Sequence, residues 1–184
     1  MTDEKRTTDV GLPEAHPAIE PLSFLLGRWE GFGKGDYPTI DAFDFIQEVT
    51  FTHNGKPFLI YTSRSWLKET DAGGQVTKGR PLGMETGFWR PQPDGALEVV
   101  LAHPTGITEI YLGRVDGTRI DIATDAVART ATAKEVTAGK RLYGLIDSTA
   151  RPGEKDLAYA YDMAAMGQPL QPHLWAQLEW AWTD

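Results

Sequence analysis

The chain has 184 residues, which favours one domain, and 41% of them are hydrophobic, which suffices for a single core. A formal net charge of −8 argues against a nucleic-acid-binding surface, which needs clustered Lys and Arg. The absence of cysteine excludes disulfides, thiolate metal ligands and a cysteine nucleophile. No apolar run approaches the roughly 20 residues of a membrane helix, and the N-terminus lacks an apolar signal region. We therefore expect a cytoplasmic protein with no membrane or nucleic-acid partner.

The N-terminal part of the chain is predicted to be an extension followed by a short helix. Residues 1–20 combine charges, Thr and Pro without periodicity, which predicts a flexible extension. Residues 21–26 form a short apolar run that predicts one or two helical turns. We therefore place the folded domain at residues 21–184.

The next segment, GRWEGFGKGDYPTI at 27–40, is rich in glycine. Its glycines are Gly27, Gly31, Gly33 and Gly35. They exclude a helix, because each lowers helix stability and adds no packing. They favour a strand that bends while its neighbours, or a ligand, approach the backbone closely. Gly27 and Trp29 after a short helix also match the start of a lipocalin-type barrel, in which the Trp closes one end.

The rest of the chain alternates short β-rich segments with turn signals. Strands are predicted over residues 42–52, 57–66, 82–90, 97–103, 107–115, 119–124, 130–137, 141–147, 157–166 and 174–182. A turn-rich loop is predicted at 69–79, and Asp94-Gly95 and Asp116-Gly117 are hairpin signals. Ten or eleven strands at short, even spacing are typical of an all-β fold, either an antiparallel up-and-down β-barrel or a sandwich. A barrel of ten strands could enclose a ligand of porphyrin size, although the aromatic residues could equally fill an ordinary core.

His173 stands out among the four histidines. Pro169 and Pro172 restrain the backbone before it, which fixes the direction of its imidazole. In a regular strand Leu174 would begin the apolar face, and His173 would share the more polar face with Trp175. A local bend at Pro172 would be needed to aim His173 inward; otherwise a ligand site would lie at the barrel mouth.

Six segments in order along the chain resemble the nitrobindin family of haem-binding β-barrels. They are GRWEGFGKGDYPTI at 27–40, GKPFLIYTSRSW at 55–66, METGFWR at 84–90, LAHPTGITEIYLG at 101–113, TAKEV at 132–136 and GQPLQPHLWAQL at 167–178. The resemblance implies a barrel of about ten strands with a short N-terminal helix, holding one ferric haem b per chain. It also implies His173 as axial iron ligand and Thr39 and Lys134 as haem contacts. The implied activities are isomerisation of peroxynitrite to nitrate and nitric oxide binding.

Without the resemblance, Thr39 reads as a strand threonine and Lys134 as a solvated surface lysine. Many family members carry a distal histidine before the ETG motif, where this chain has Gly83 or Met84. This departure bears on ligand affinity and turnover more than on haem binding. Of the other histidines, we expect His16 in the extension, His53 at a loop tip and His103 at a turn.

Two classes of function stay open from the sequence. One is a haem enzyme that removes peroxynitrite. The other is a non-catalytic barrel, either a haem-based nitric oxide sensor or carrier, or a lipocalin-like carrier of an apolar ligand. Trp180 and Trp182, near the end of the chain, offer apolar surface with no evident use, and nitrobindin-like barrels are often dimeric. We therefore expect a homodimer.

Overall fold

The structure is a computed structural model that describes residues 13–181. Ten antiparallel strands form a closed barrel in which each strand pairs with the next and β10 pairs with β1. The strands are β1 (Gly27–Tyr37), β2 (Ile40–Thr52), β3 (Leu59–Thr70), β4 (Val76–Pro91), β5 (Ala96–His103), β6 (Ile107–Asp116), β7 (Arg119–Arg129), β8 (Val136–Asp147), β9 (Lys155–Ala165) and β10 (Gln171–Ala181). The predicted all-β barrel is confirmed. None of the described helices is long and apolar enough to cross a membrane.

A 3-10 helix, Pro17–Leu25, precedes β1 and closes one end of the barrel. Its Ile19, Leu22 and Leu25 side chains are buried in the core, and the Trp29 indole Nε1 donates a hydrogen bond of 2.7 Å to the Leu25 carbonyl. The expectation of a flexible extension is therefore wrong for residues 17–20, because Ile19 supplies apolar surface that the barrel end buries. Residues 1–12 and 182–184, including Trp182, lie outside the described residues.

The closed end of the barrel is filled by aromatic side chains from several strands. The Trp89 ring lies 5.2 Å from that of Phe51 and 5.1 Å from that of Tyr143, measured between centroids, both in edge-to-face geometry. Alternate residues of each strand point inward, so this cluster forms the core beneath the helix. Aromatic residues therefore fill the core at this end of the barrel.

The glycines of β1 allow the next strand to pack closely. β1 pairs with β10 on one side and β2 on the other, and Gly33 pairs with Ala176 and Phe45. A Cβ atom at Gly33 would collide with the Phe45 ring and the Trp175 carbonyl oxygen, and one at Gly35 would collide with the Phe43 ring. The predicted close approach is confirmed, and the neighbours are two phenylalanine rings.

Some predicted boundaries differ from the structure. Residues 130–135 form the β7–β8 loop, so the strand predicted at 130–137 is wrong; a hydrogen bond from Ala133 N to the Thr130 carbonyl closes a turn there. The loop predicted at 69–79 contracts to residues 71–75 because β3 and β4 extend into it. The turns at Asp94-Gly95 and Asp116-Gly117 are confirmed, with positive φ at Asp94, Gly95 and Gly117.

The pairing between β7 and β8 is short. It runs for five residue pairs, from Arg119 and Gly144 to Ala123 and Lys140, although β7 continues to Arg129. Beyond the ladder, the Gly139 amide donates a hydrogen bond of 3.0 Å to the Thr124 hydroxyl. This end of the barrel, opposite the helix, also carries the β1–β2, β3–β4, β5–β6 and β9–β10 turns; we call it the mouth.

Candidate functional site

A cavity of about 430 Å³ lies inside the barrel towards the mouth. Its upper wall is largely apolar and is formed by Phe43, Phe45, Leu82, Val136, Met163 and Leu174. Its polar part is formed by Gln47, Ser63, Glu85, His103, Glu109 and Arg141; we call this set the floor. Gln47 follows Phe45 by two residues on β2, and Ser63 precedes Ser65 by two residues on β3. In both strands this places the polar residue further from the mouth. The volume is in the range of ligand-binding pockets.

His173 lies at the mouth and lines the cavity. Its Nδ1 is 3.0 Å from the carbonyl oxygen of Asp36, which can only accept, so Nδ1 carries the proton and Nε2 keeps its lone pair. Its ring centroid lies 5.2 Å from that of Tyr37 and 5.9 Å from that of Tyr161. Burial lowers the pKa of His173 and outweighs the opposing effect of Asp36. The imidazole is therefore neutral at pH 7, as a metal ligand must be.

A bulge in β10 aims His173 into the barrel. Pro172 pairs with Asp162, but the next pair joins Leu174 to Tyr161, so His173 is an extra residue in the ladder. Both His173 and Leu174 then line the cavity, whereas Trp175 is exposed. The bulge is the local bend predicted at Pro172.

Arg141 organises the floor. Its guanidinium makes a bidentate ion pair with Glu85, with distances of 2.6 Å and 2.9 Å, and a longer contact of 3.5 Å with Glu109. Burial alone would raise the pKa of the Glu85 carboxyl, but the charge and hydrogen bonds of Arg141 lower it to about 2. Burial raises the pKa of the surrounding tyrosines, so they are uncharged: Tyr61, Tyr111, Tyr143, Tyr159 and Tyr161.

His103 belongs to the same floor. His103 is the last residue of β5, and a turn follows it. The Gly106 amide closes this turn by donating a hydrogen bond to the His103 carbonyl oxygen. The predicted turn is confirmed, but the side chain lies in the cavity wall. Its Nε2 is 2.9 Å from a Glu109 carboxylate oxygen, and its Nδ1 is 3.6 Å from a Glu85 oxygen. Both ring nitrogens therefore face carboxylates.

The other predicted site residues are dispersed. Thr39 is exposed in the β1–β2 turn and Lys134 is exposed in the β7–β8 loop, so both are at the mouth end but outside the cavity wall. Gly27 and Trp29 lie at the closed end, and Gly27 has a positive φ of 122°. Gly31 packs against the Gln177 and Leu178 backbone. These motif residues shape the barrel.

Sequence reasoning missed the charged floor. In the sequence, Glu85 belongs to the METGFWR motif and Arg141 begins a predicted strand, and neither position indicates a charged site. The available signal was period-two alternation: Arg141 and Tyr143 fall on one face of β8, and Tyr159 and Tyr161 on one face of β9. That pattern does not reveal whether a charged face points inward.

Comparison with known proteins identifies the family. A sequence profile described as a THAP4-like, heme-binding beta-barrel domain matches residues 18–179. The chain belongs to this family. A relative named "Peroxynitrite isomerase" from Nocardioides sp. is 52% identical over 163 residues, covering 89% of this chain and 93% of the relative. A "Ferric nitrobindin-like protein" from Thermobifida fusca is 40% identical, covering 90% and 95%. The predicted nitrobindin resemblance is confirmed.

A solved structure supports the same assignment. The crystal structure of Rv2717c from M. tuberculosis has a TM-score of 0.75 and is 43% identical, covering 91% of this chain and 99% of that one.

The side chains that line the cavity of this chain also fit the heme named in the family description. His173 offers one neutral imidazole nitrogen at the mouth of a largely apolar cavity, held by a backbone carbonyl on its other nitrogen.

Proposed function

We propose that this protein binds one ferric haem b per chain through His173 and isomerises peroxynitrite to nitrate, and that it also binds nitric oxide. The observation that carries the proposal is the orientation of His173. Its Nδ1 is bonded to the Asp36 carbonyl, which leaves Nε2 as a lone-pair donor. Hydrogen bonding of a ligating histidine through its second nitrogen is the usual arrangement at metal sites.

The residues at the mouth would hold the cofactor. His173 would be the axial ligand, with its ring restrained by the bulge and by Tyr37. Thr39 and Lys134 would contact the edge of the cofactor, one by a hydroxyl and one by an ammonium group suited to a carboxylate. Their exposed positions at the mouth end are compatible with contacts to the solvent-facing edge.

The proposed reaction rearranges one anion into another without a second reactant. When bound through His173, ferric haem would supply an iron centre able to polarise the O–O bond of the anion. The chain contributes confinement. Phe43, Phe45 and Leu174 form an apolar wall that excludes water, which favours recombination of the reacting fragments over escape.

The test compares four single variants after haem reconstitution: His173→Ala, and the controls His103→Ala, His53→Ala and His16→Ala. We expect His173→Ala to lose the Soret band and nitric oxide binding while circular dichroism still reports the barrel. The controls should keep the spectrum. A normal ferric spectrum in His173→Ala and its loss in His103→Ala would refute the ligand assignment.

Peroxynitrite decay and nitrate yield, with and without haem, then separate an enzyme from a nitric oxide sensor. A haem-dependent rise in both supports the isomerase. Normal nitric oxide binding without faster decay would support the sensor. If the wild-type protein shows no Soret band after reconstitution, both haem functions fall and a carrier of apolar ligands is left.

We also propose a homodimer, formed through Phe32 and Trp175 and not through Trp180. Trp180 is partly buried, lies against Gly27 and donates a hydrogen bond of 3.4 Å to the Leu26 carbonyl, so it is not free surface. Phe32 and Trp175, on the neighbouring strands β1 and β10, are each about half exposed and line one outer groove. They are the apolar surface that a partner would cover. A cytoplasmic location stays a prediction from the sequence.

A further inference from the structure

The floor of the cavity has unused hydrogen-bond acceptors. Glu109 and Gln47 both line the cavity and are both buried. The Glu109 side chain is 1% exposed, and Gln47 as a whole residue is 5% exposed. One carboxylate oxygen of Glu109 (Oε1) and the amide oxygen of Gln47 have no hydrogen-bond partner among the described residues. Buried polar atoms are nearly always paired, so these two oxygens mark where a ligand with donor groups would bind.

Arg141, the arginine of the floor, has no N–H group free to bind a ligand. Arg141 carries five N–H groups. Nε donates to the Tyr111 hydroxyl, one Nη donates to Glu85 and the Tyr143 hydroxyl, and the other donates to Glu85 and Glu109. All five are engaged, so an anionic head group would have to break an existing contact of Arg141.

The charge of the floor points the same way. Glu85 and Glu109 contribute two carboxylates against the single guanidinium of Arg141, and the tyrosines around them are uncharged. The His103 imidazole lies between these two carboxylates. Attraction between opposite charges is strong where water is excluded, so the free oxygen of Glu109 favours a cation over an anion of the same size.

We propose that the floor is a binding subsite for a primary alkylammonium ion. The ammonium head would donate to the free oxygen of Glu109, and the alkyl chain would lie along the apolar wall formed by Phe45, Leu82 and Met163. This subsite does not depend on haem. It also separates this barrel from carriers that bind fatty acids by their carboxylate, because Arg141 is already saturated.

The test is calorimetric titration of the full chain with three probes of equal length: n-hexylammonium, hexanoate and 1-hexanol. A charge-assisted hydrogen bond should make hexylammonium bind about 10- to 100-fold more tightly than hexanoate. Equal or tighter binding of hexanoate would overturn the proposal. So would the absence of hexylammonium binding, which would mean that water alone satisfies these oxygens.

Variants locate the subsite. Glu109→Gln keeps an acceptor oxygen but removes the charge, and should bring the three affinities within about threefold of one another, well below the range expected for a charged hydrogen bond. The matched control is Glu98→Gln, the same change at a partly exposed residue that pairs with Arg90 on the outside of the barrel. Undiminished hexylammonium binding in folded Glu109→Gln would refute the site.

A second variant keeps the test informative if Glu109→Gln does not fold. Leu82→Trp narrows the apolar passage above the floor and should abolish binding of hexylammonium and hexanol alike. Circular dichroism checks that the barrel is retained. Unchanged binding of hexylammonium in this variant would place the ligand outside the cavity.

Discussion

Gly33→Ala should destabilise the barrel, whereas Gly144→Ala should stabilise it. The new Cβ at Gly33 would collide with the Phe45 ring and the Trp175 carbonyl, and ladders on both sides prevent β1 from moving away. Overpacking costs about 1–3 kcal/mol, and removing a glycine from the unfolded chain returns about 0.4–1 kcal/mol. Because one of the two collisions is with backbone, the upper half of that overpacking range applies, so the net loss is about 1–2.6 kcal/mol and lowers Tm by roughly 2–10 °C for a domain of this size.

Gly144 is the matched control because its Cβ would meet only the Thr118 carbonyl oxygen, at 3.7 Å, and its φ is not positive. The same substitution should then raise stability by about 0.4–1 kcal/mol and Tm by roughly 1–4 °C. Thermal melts followed by circular dichroism, with urea unfolding of both variants, measure the two signs. A Gly33→Ala protein that melts at or above the wild type, or two variants that lose stability equally, would refute the packing argument.

Substitutions at three other residues test the buried contacts and the outer surface. Glu85→Gln strands the buried Arg141 charge and should cost about 3–5 kcal/mol in urea unfolding, against less than about 1 kcal/mol for the exposed pair removed by Glu98→Gln. Folding lowers the pKa of Glu85 from 4.5 to about 2, so its contribution to the free energy of unfolding is present above pH 4.5 and is lost as pH falls towards 2. The free energy of unfolding of Glu85→Gln should therefore fall less steeply than that of the wild type between pH 5 and 3. An equally steep fall in both proteins would contradict the ion pair. Tyr37→Phe leaves the Ala165 amide, which donates to the Tyr37 hydroxyl at 2.9 Å, without its partner and should cost about 1–2 kcal/mol; no loss in urea unfolding would show that water replaces the hydroxyl. Trp175→Lys should convert a dimer to a monomer in sedimentation, and a wild-type monomer at high concentration would refute the dimer.

The barrel was predictable because its signals are local. Asp116-Gly117 and Asp94-Gly95 identify hairpins within a few residues, and strand alternation supplies the rest. The strand predicted at 130–137 failed because Thr and Ala carry little information about where a ladder ends. Similarly, Ile19 resembled part of a polar tail, since only the three-dimensional position of the barrel end shows that it is buried.

The candidate site likewise has one part that local sequence predicts and another that depends on contacts between distant residues. The sequence motifs singled out His173, and the prolines before it indicated a bend. The hydrogen bond from His173 to the Asp36 carbonyl joins residues 137 positions apart, so no local sequence pattern predicts it. The pairing of Arg141 with Glu85, which links β8 to β4 across the barrel, is equally non-local. Such contacts depend on barrel closure, and sequence spacing does not encode them in a readable form.

The short ladder between β7 and β8 makes the wall of the barrel unequal in strength. Local opening costs least where few backbone hydrogen bonds must break, so amide exchange should be fastest in the last part of β7 and the first part of β8. Such breathing would widen the mouth from one side. β1 and β10, which carry the Asp36 carbonyl and His173, are joined by a longer ladder and would stay in register. We therefore expect the barrel wall to open more easily between β7 and β8 than between β1 and β10, where the longer ladder keeps the His173 imidazole aligned.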